Sequence, residues 1–201
     1  FGKYADPKNN RYNVWMDEKL YQPHHQGQAA YIVPPIKNFH NEPTGFIHNP
    51  GTALGQKWLN KFFVVEFVGN PAQSKIWAFG LKPKGASFDL DSDEAIVQGI
   101  LPTGIQFGPD GALYAADWVN GWNTKDYGRI WKIDVNDQSL AQQRKRTQQL
   151  LLLDFTTLPL DSLDVYLGYE DKRIRKKAQF QLVEAGEAGK NILIKASTAD
   201  N

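Results

Sequence analysis

The chain is predicted to fold as an antiparallel all-β region followed by an all-α region, with the change near Asn136. Three observations carry this expectation. All six tryptophans lie at or before Trp131, and ten of the eleven prolines lie at or before Pro109. Up to that point short apolar stretches are separated by Gly, Pro and Asn, the punctuation of turns. Beyond it the chain becomes rich in Leu, Ala, Gln, Lys and Arg, the composition of helices. The predicted division is 1–136 and 137–201.

The stretch before Asn60 is rich in Pro, His and Asn and reads as long loops with a few short strands. Phe62–Val68 reads as a strand closed by the turn residues Gly69-Asn70-Pro71. In Lys75–Leu81, Ile76, Ala78 and Gly80 share one face, and Trp77, Phe79 and Leu81 the other. Ala86–Leu90 and Ala95–Gln98 read as a third and a fourth strand. Gly104–Phe107, the Gly108-Pro-Asp-Gly111 turn and Leu113–Trp118 then form a tight hairpin. Arg129–Ile133 adds one more strand. Short strands at short intervals, with no helix between them, mean antiparallel pairing.

In the second region Ser139–Leu153 reads as a helix. Leu160, Leu163 and Leu167 share a helical face, and Gly168 is placed to end that helix. Asp171 is the expected N-cap of the next, in which Ile174, Ala178 and Leu182 recur at i, i+4 and i+8; Gly186 ends it. Ile192, Leu193 and Ala196 begin a further apolar face. Short antiparallel helices of this kind bury little alone and are expected to stack in arrays.

Composition excludes several classes. The chain of 201 residues carries 23 basic and 22 acidic side chains, a formal net charge of +1. The two regions do not differ in sign: 13 basic and 13 acidic residues run through Asn136, then 10 and 9. No basic excess marks a nucleic-acid partner. No apolar run approaches the ~20 residues that span a bilayer. With no cysteine, these residues hold no disulfide, thiolate zinc site, iron–sulfur cluster or Cys-x-x-Cys-His haem attachment. The chain begins at Phe1 without an initiator methionine, so a processed or partial piece is expected, with any targeting segment upstream.

The segment Phe107-Gly-Pro-Asp-Gly-Ala-Leu-Tyr-Ala-Ala-Asp-Trp118, followed by Gly128-Arg-Ile-Trp-Lys-Ile133, resembles a propeller blade of the glucose/sorbosone dehydrogenase-like family. It is most similar to a bacterial branch whose propeller runs into HEAT repeats and often a cytochrome c domain. Pro34-Pro35-Ile36, Pro43-Thr44-Gly45, Asn49-Pro50-Gly51-Thr52-Ala53-Leu54, Phe62-Phe63 and Lys84-Gly85-Ala86-Ser87-Phe88 agree with it. Leu167–Phe180 looks like the branch's first HEAT helix pair, and the likeness covers roughly Trp15 to Ala196. The resemblance implies the C-terminal, antiparallel blades of an all-β propeller followed by all-α HEAT-like repeats, in a periplasmic or extracellular protein. It also implies a sugar ligand, pyrroloquinoline quinone, calcium and a cytochrome c domain or partner within a larger chain or complex. Where the family's quinone enzymes carry an Arg pair before the Gly-Pro-Asp-Gly turn, this chain has Leu101 and Thr103, and Gly104 replaces the accompanying Asp.

Candidate ligand-binding residues follow from the rim expected beside the loop 119–127. Asp117 offers an acceptor for sugar hydroxyls and Trp118 a flat face for C–H stacking, with Trp122 and Arg129 as companions. The alternative has Asp117 capping the loop and Trp118 covering core. His24, His25, His40 and His48 read as loop or surface histidines without ligand spacing. Asp89-Leu-Asp91-Ser-Asp93 begins like a calcium loop, but Glu94 and Ile100 occupy the sixth and twelfth positions, so an acidic turn is expected. On the helix after Asp171, Arg173 and Lys177 share a face and are candidates for docking an acidic partner, against the plainer reading of a solvated face. Two functions follow as expectations: a sugar or alcohol dehydrogenase passing electrons to a cytochrome, or a non-catalytic scaffold binding glycans or proteins.

Overall fold

The computed structural model describes Lys19, residues 22–28, Ile36, residues 40–120 and residues 126–198. Its strands are β1 (Pro43–His48), β2 (Phe62–Glu66), β3 (Lys75–Lys84), β4 (Ser87–Gln98), β5 (Pro102–Phe107), β6 (Leu113–Asp117) and β7 (Arg129–Ile133). Four helices follow: α1 (Ala141–Leu152), α2 (Leu160–Leu167), α3 (Lys172–Glu184) and α4 (Glu187–Ser197).

The strands pair in chain order into a four-stranded sheet, β1-β2-β3-β4, and a three-stranded sheet, β5-β6-β7, all antiparallel. Neither sheet closes among the described residues, and no propeller forms; the architecture is mixed α/β, which corrects the expected propeller with HEAT repeats. Apolar alternation and turn spacing specify antiparallel pairing, but they carry no information about an axis. A propeller needs about four or more blades around one, and seven strands here make two sheets. Nor, among the described residues, do the helices form a repeating array. α1, α2 and α4 all pack on α3, whose Ile174, Ala178 and Leu182 are fully buried.

Two cores result. Between the sheets lie Phe63 and Val65 of β2, Ile76 and Ala78 of β3, Leu101, and Phe107, Leu113 and Ala115 of the β5–β6 hairpin. Phe63 meets Phe107 edge-on at 5.4 Å. The sheets approach at β1 and β5, where a Cβ on Gly45 would stand 3.1 Å from the Gly104 Cα. Around α3 a second core gathers Leu150, Phe155, Leu163 and Tyr169.

The expected third and fourth strands are one, β4, twelve residues long and irregular at two places against β3. The Asp-rich run therefore lies within a strand rather than in a turn. Its carboxylates are accommodated by neighbouring side chains: Asp89 by Lys84 at 3.0 Å, Asp91 by Lys61 at 3.7 Å, and Asp93 by the His40 ring at 3.4 Å. His48 is likewise in β1 rather than in a loop.

Helices and sheets are joined by buried polar contacts. Asp171, with no exposed surface, caps α3 by accepting from the Arg173 amide at 2.9 Å. Thr52 donates to its carboxylate at 2.6 Å, and the Arg173 guanidinium grips both oxygens at 2.9 and 2.8 Å. The Lys172 amide donates to the Pro50 carbonyl at 2.8 Å. Gly51, at φ +118°, lies so close that a Cβ would strike the Glu170 carbonyl. Farther along, Arg144 of α1 forms a bidentate pair with Asp134, at 2.8 and 2.7 Å, and donates to the Asp110 carbonyl.

Candidate functional site

β2 places apolar side chains on both faces, because Phe62-Phe63-Val64-Val65 is a continuous run rather than an alternation. One face, Phe63 and Val65, enters the core between the sheets. The other joins Phe46 of β1 and Phe79, Leu81 and Leu90 across the sheet. On this outer face Phe46, Phe62 and Phe79 form an aromatic ladder with ring centroids 5.6 and 5.3 Å apart, and His48 lies 4.5 Å from Phe62. The ladder borders an open groove of about 750 Å³ whose walls include Ile36, Phe46, Val64, Phe79 and Leu90. Phe46 is 62% exposed.

One end of the groove is walled by His40. Its ring stacks on the Trp77 indole at 3.8 Å, tilted by only 8°. Its nitrogens face carboxylates on both sides, Glu66 at 3.8 Å and Asp93 at 3.4 Å. Glu66 is nearly buried and accepts from the Trp77 indole N–H at 2.8 Å and the Asn41 amide at 3.3 Å. Burial pushes its pKa up, but these bonds and the charges of His40 and Lys75 outweigh that, and the carboxyl sits below its ordinary value. These contacts hold His40, just before β1, against the sheet. Among the described residues no group of three or more His, Asp or Glu side chains is arranged to hold a metal.

The residues singled out in the sequence lie elsewhere. Asp117 is buried at the end of β6, and its carboxylate accepts from the Leu101 and Val119 amides at 3.0 and 2.8 Å and the Trp131 indole at 2.9 Å. Burial raises its pKa, and those three bonds with the Arg129 charge bring it below the ordinary value. Trp118 is 42% exposed at the start of the following loop. Arg129 is exposed, 6.0 Å from the Trp131 ring. Trp122 lies outside the described residues, as do Pro34 and Pro35.

Arg173 and Lys177 face into the fold. Arg173 grips Asp171 and donates to the Gly108 carbonyl at 2.8 Å, tying α3 to the β5–β6 turn. Lys177 caps the end of α1, donating to the Leu151 and Leu153 carbonyls at 3.0 and 2.8 Å above the Phe155 ring. At the positions of the expected Arg pair, Leu101 is buried in the core and Thr103 hydrogen-bonds the Ala116 carbonyl at 3.4 Å.

The sequence signal of the outer sheet face is the two-sided apolar pattern of β2 and β3, which single candidate residues do not display. Comparison with known families, curated proteins and solved structures gives no match to this chain. Among the described residues no helix is long and apolar enough to cross a membrane.

Proposed function

We propose that this chain is a non-catalytic binding portion of a larger assembly, and that the outer face of the β1–β4 sheet receives a protein partner. The single observation that carries this is the aromatic ladder, exposed at Phe46 and half-buried at Phe62 and Phe79, with its groove. Surfaces of contiguous exposed aromatics on rigid strands mark interaction sites. Polar lining is confined to His40 and a few small groups, which suits apolar side chains better than the many hydroxyls of a glycan.

Two further facts support binding over dehydrogenation. Leu101 belongs to the core and Thr103 is bonded to the backbone, so neither position offers a cation for a quinone carboxylate. The cations Arg173 and Lys177 are already committed within the fold. The resemblance of 107–118 and 128–133 supports a periplasmic or extracellular setting.

The test uses the complete protein in its native cells with a photo-reactive amino acid at position 46. A discrete protein adduct, absent when the probe is moved to Val165 on α2, is expected. Purified protein should show no sugar-dependent dye reduction with added pyrroloquinoline quinone and calcium. Sugar turnover, with no adduct from position 46, would overturn the reading.

A further inference from the structure

We infer that His48 and Lys172 form a pH-sensitive latch between the β1–β4 sheet and α3. Protonating His48 sets a second cation against Lys172 and loosens the docking of the loop 49–54 on the helix. The inference goes beyond the binding-face reading and rests on a different contact.

The latch lies where β1 ends. His48, half-buried, packs its ring 4.5 Å from that of Phe62. From the first turn of α3 the Lys172 amine comes within 3.5 Å of the His48 Nδ1 and donates to the His48 carbonyl at 3.2 Å. An ammonium has donors only, so Nδ1 faces it favourably as the lone pair of a neutral ring. The lysine is not free to retreat. Its own amide is held by the Pro50 carbonyl at 2.8 Å, and the Asp171 cap beside it accepts from Thr52 at 2.6 Å. Asn49, buried, ties the same loop by accepting from the Gly51 amide and donating to the Ala53 carbonyl, both at 2.9 Å. One titratable ring thus faces a cation beside the polar bonds that join sheet to helix.

Of the groups around the ring, Phe62 and the loop 49–54 are uncharged, and Lys61 turns away to Ser92 and Asp91. Lys172 supplies the charge that acts on the ring. Burial and that charge hold His48 below its ordinary 6.5, against a backbone hydrogen bond at Asn49. Lys172 is lowered as well, by burial, which Asp171 opposes and Arg173 and Arg175 reinforce. Asp171 is itself gripped by Arg173. A histidine held below its unfolded value binds fewer protons folded than unfolded. The joint is therefore at full strength above 6.5 and weakens as pH falls toward the lower folded value. The lowered carboxylates elsewhere titrate below about pH 4, outside this window. His40 stands at the far end of β2, beside Glu66 and Asp93, and takes no part in the joint.

Amide hydrogen exchange on the full chain, corrected for intrinsic rates, tests this between about pH 7.5 and about pH 5.5. Two unit charges at this separation on a wet, salt-screened surface repel enough for roughly a three- to fivefold effect. The Lys172 amide should lose about that much protection on the acid side, while Ala178 and Leu182, buried in α3, keep theirs. His48→Gln, neutral throughout, should remove the pH dependence. Lys172→Met keeps the amide and most of the stem without the charge, and should move the His48 midpoint in an NMR titration up toward 6.5. Equal protection of the wild-type Lys172 amide at the two pH values overturns the inference. So does the same loss in His48→Gln, or a His48 midpoint indifferent to Lys172→Met. A loss shared equally by Ala178 and Leu182 also overturns it, because the change is then global rather than a local latch.

Discussion

Asp117 was legible in the sequence as a carboxylate at a strand end, but its three hydrogen-bond donors were not, because two come from backbone amides at positions 101 and 119. The geometry makes it an anchor for the β6 end. Asp117→Asn keeps one acceptor and adds an unwanted donor, so a loss of about 1–3 kcal/mol is expected in urea unfolding. Val119 beside it has φ +74°, and the Asn120 amide bonds the Trp118 carbonyl at 3.1 Å across it. A β-branched residue in that tight turn is strained by about 1–3 kcal/mol. Val119→Gly should therefore raise the denaturation midpoint, less the extra chain entropy of glycine. Glu66, Asp110, Asp117 and Asp134 all titrate below their ordinary values in the fold, where burial opposes and hydrogen bonds outweigh it. The unfolded chain then binds more protons in the acid range. Stability should be full above the unfolded carboxylate pKa of about 4 and fall as pH drops through the lower folded values. Thermal melts across that window should flatten in Asp117→Asn.

At the scale of elements, β2, β3, β5, β6, β7 and the four described helices follow from local pattern. Asp171 stands at the N-cap of α3, and Gly186, at φ +64°, follows its end. The reading of β4 as two strands fails because an Asp-rich run has turn chemistry when isolated, and the groups that accommodate it are Lys84 of β3, Lys61 just before β2 and His40 before β1. The joint between helices and sheets was equally hidden, since Thr52 and Asp171 are distant in sequence. Arg173→Ala would leave the buried Asp171 without its cation, at a cost of about 3–5 kcal/mol. Gly51→Ala must move the Glu170 carbonyl or abandon its positive φ, and should lower stability by at least about 1–2 kcal/mol. If the joint couples the two regions, both variants should split the unfolding transition when fluorescence and circular dichroism are compared.

Over the whole molecule, the order of a β region and a helical region was readable, but the arrangement of its sheets was not. Periodicity specifies which face of a strand is apolar, and it leaves open how many sheets stack or whether they surround an axis. For the same reason the candidate site moved. The loop after β6 is marked by single residues, whereas the outer sheet face is a property of several strands together. Phe46→Ser loses its stacking on Phe62 and should cost about 1 kcal/mol of stability while weakening assembly. The most direct measurement is hydroxyl-radical footprinting of Phe46 and Phe79 in the complete protein, compared between its native assembly and the dilute chain. The outer face acting as a binding surface predicts strong protection of both rings in the assembly and reactivity of Phe46 in the dilute chain. Equal reactivity of Phe46 in the two states would contradict it.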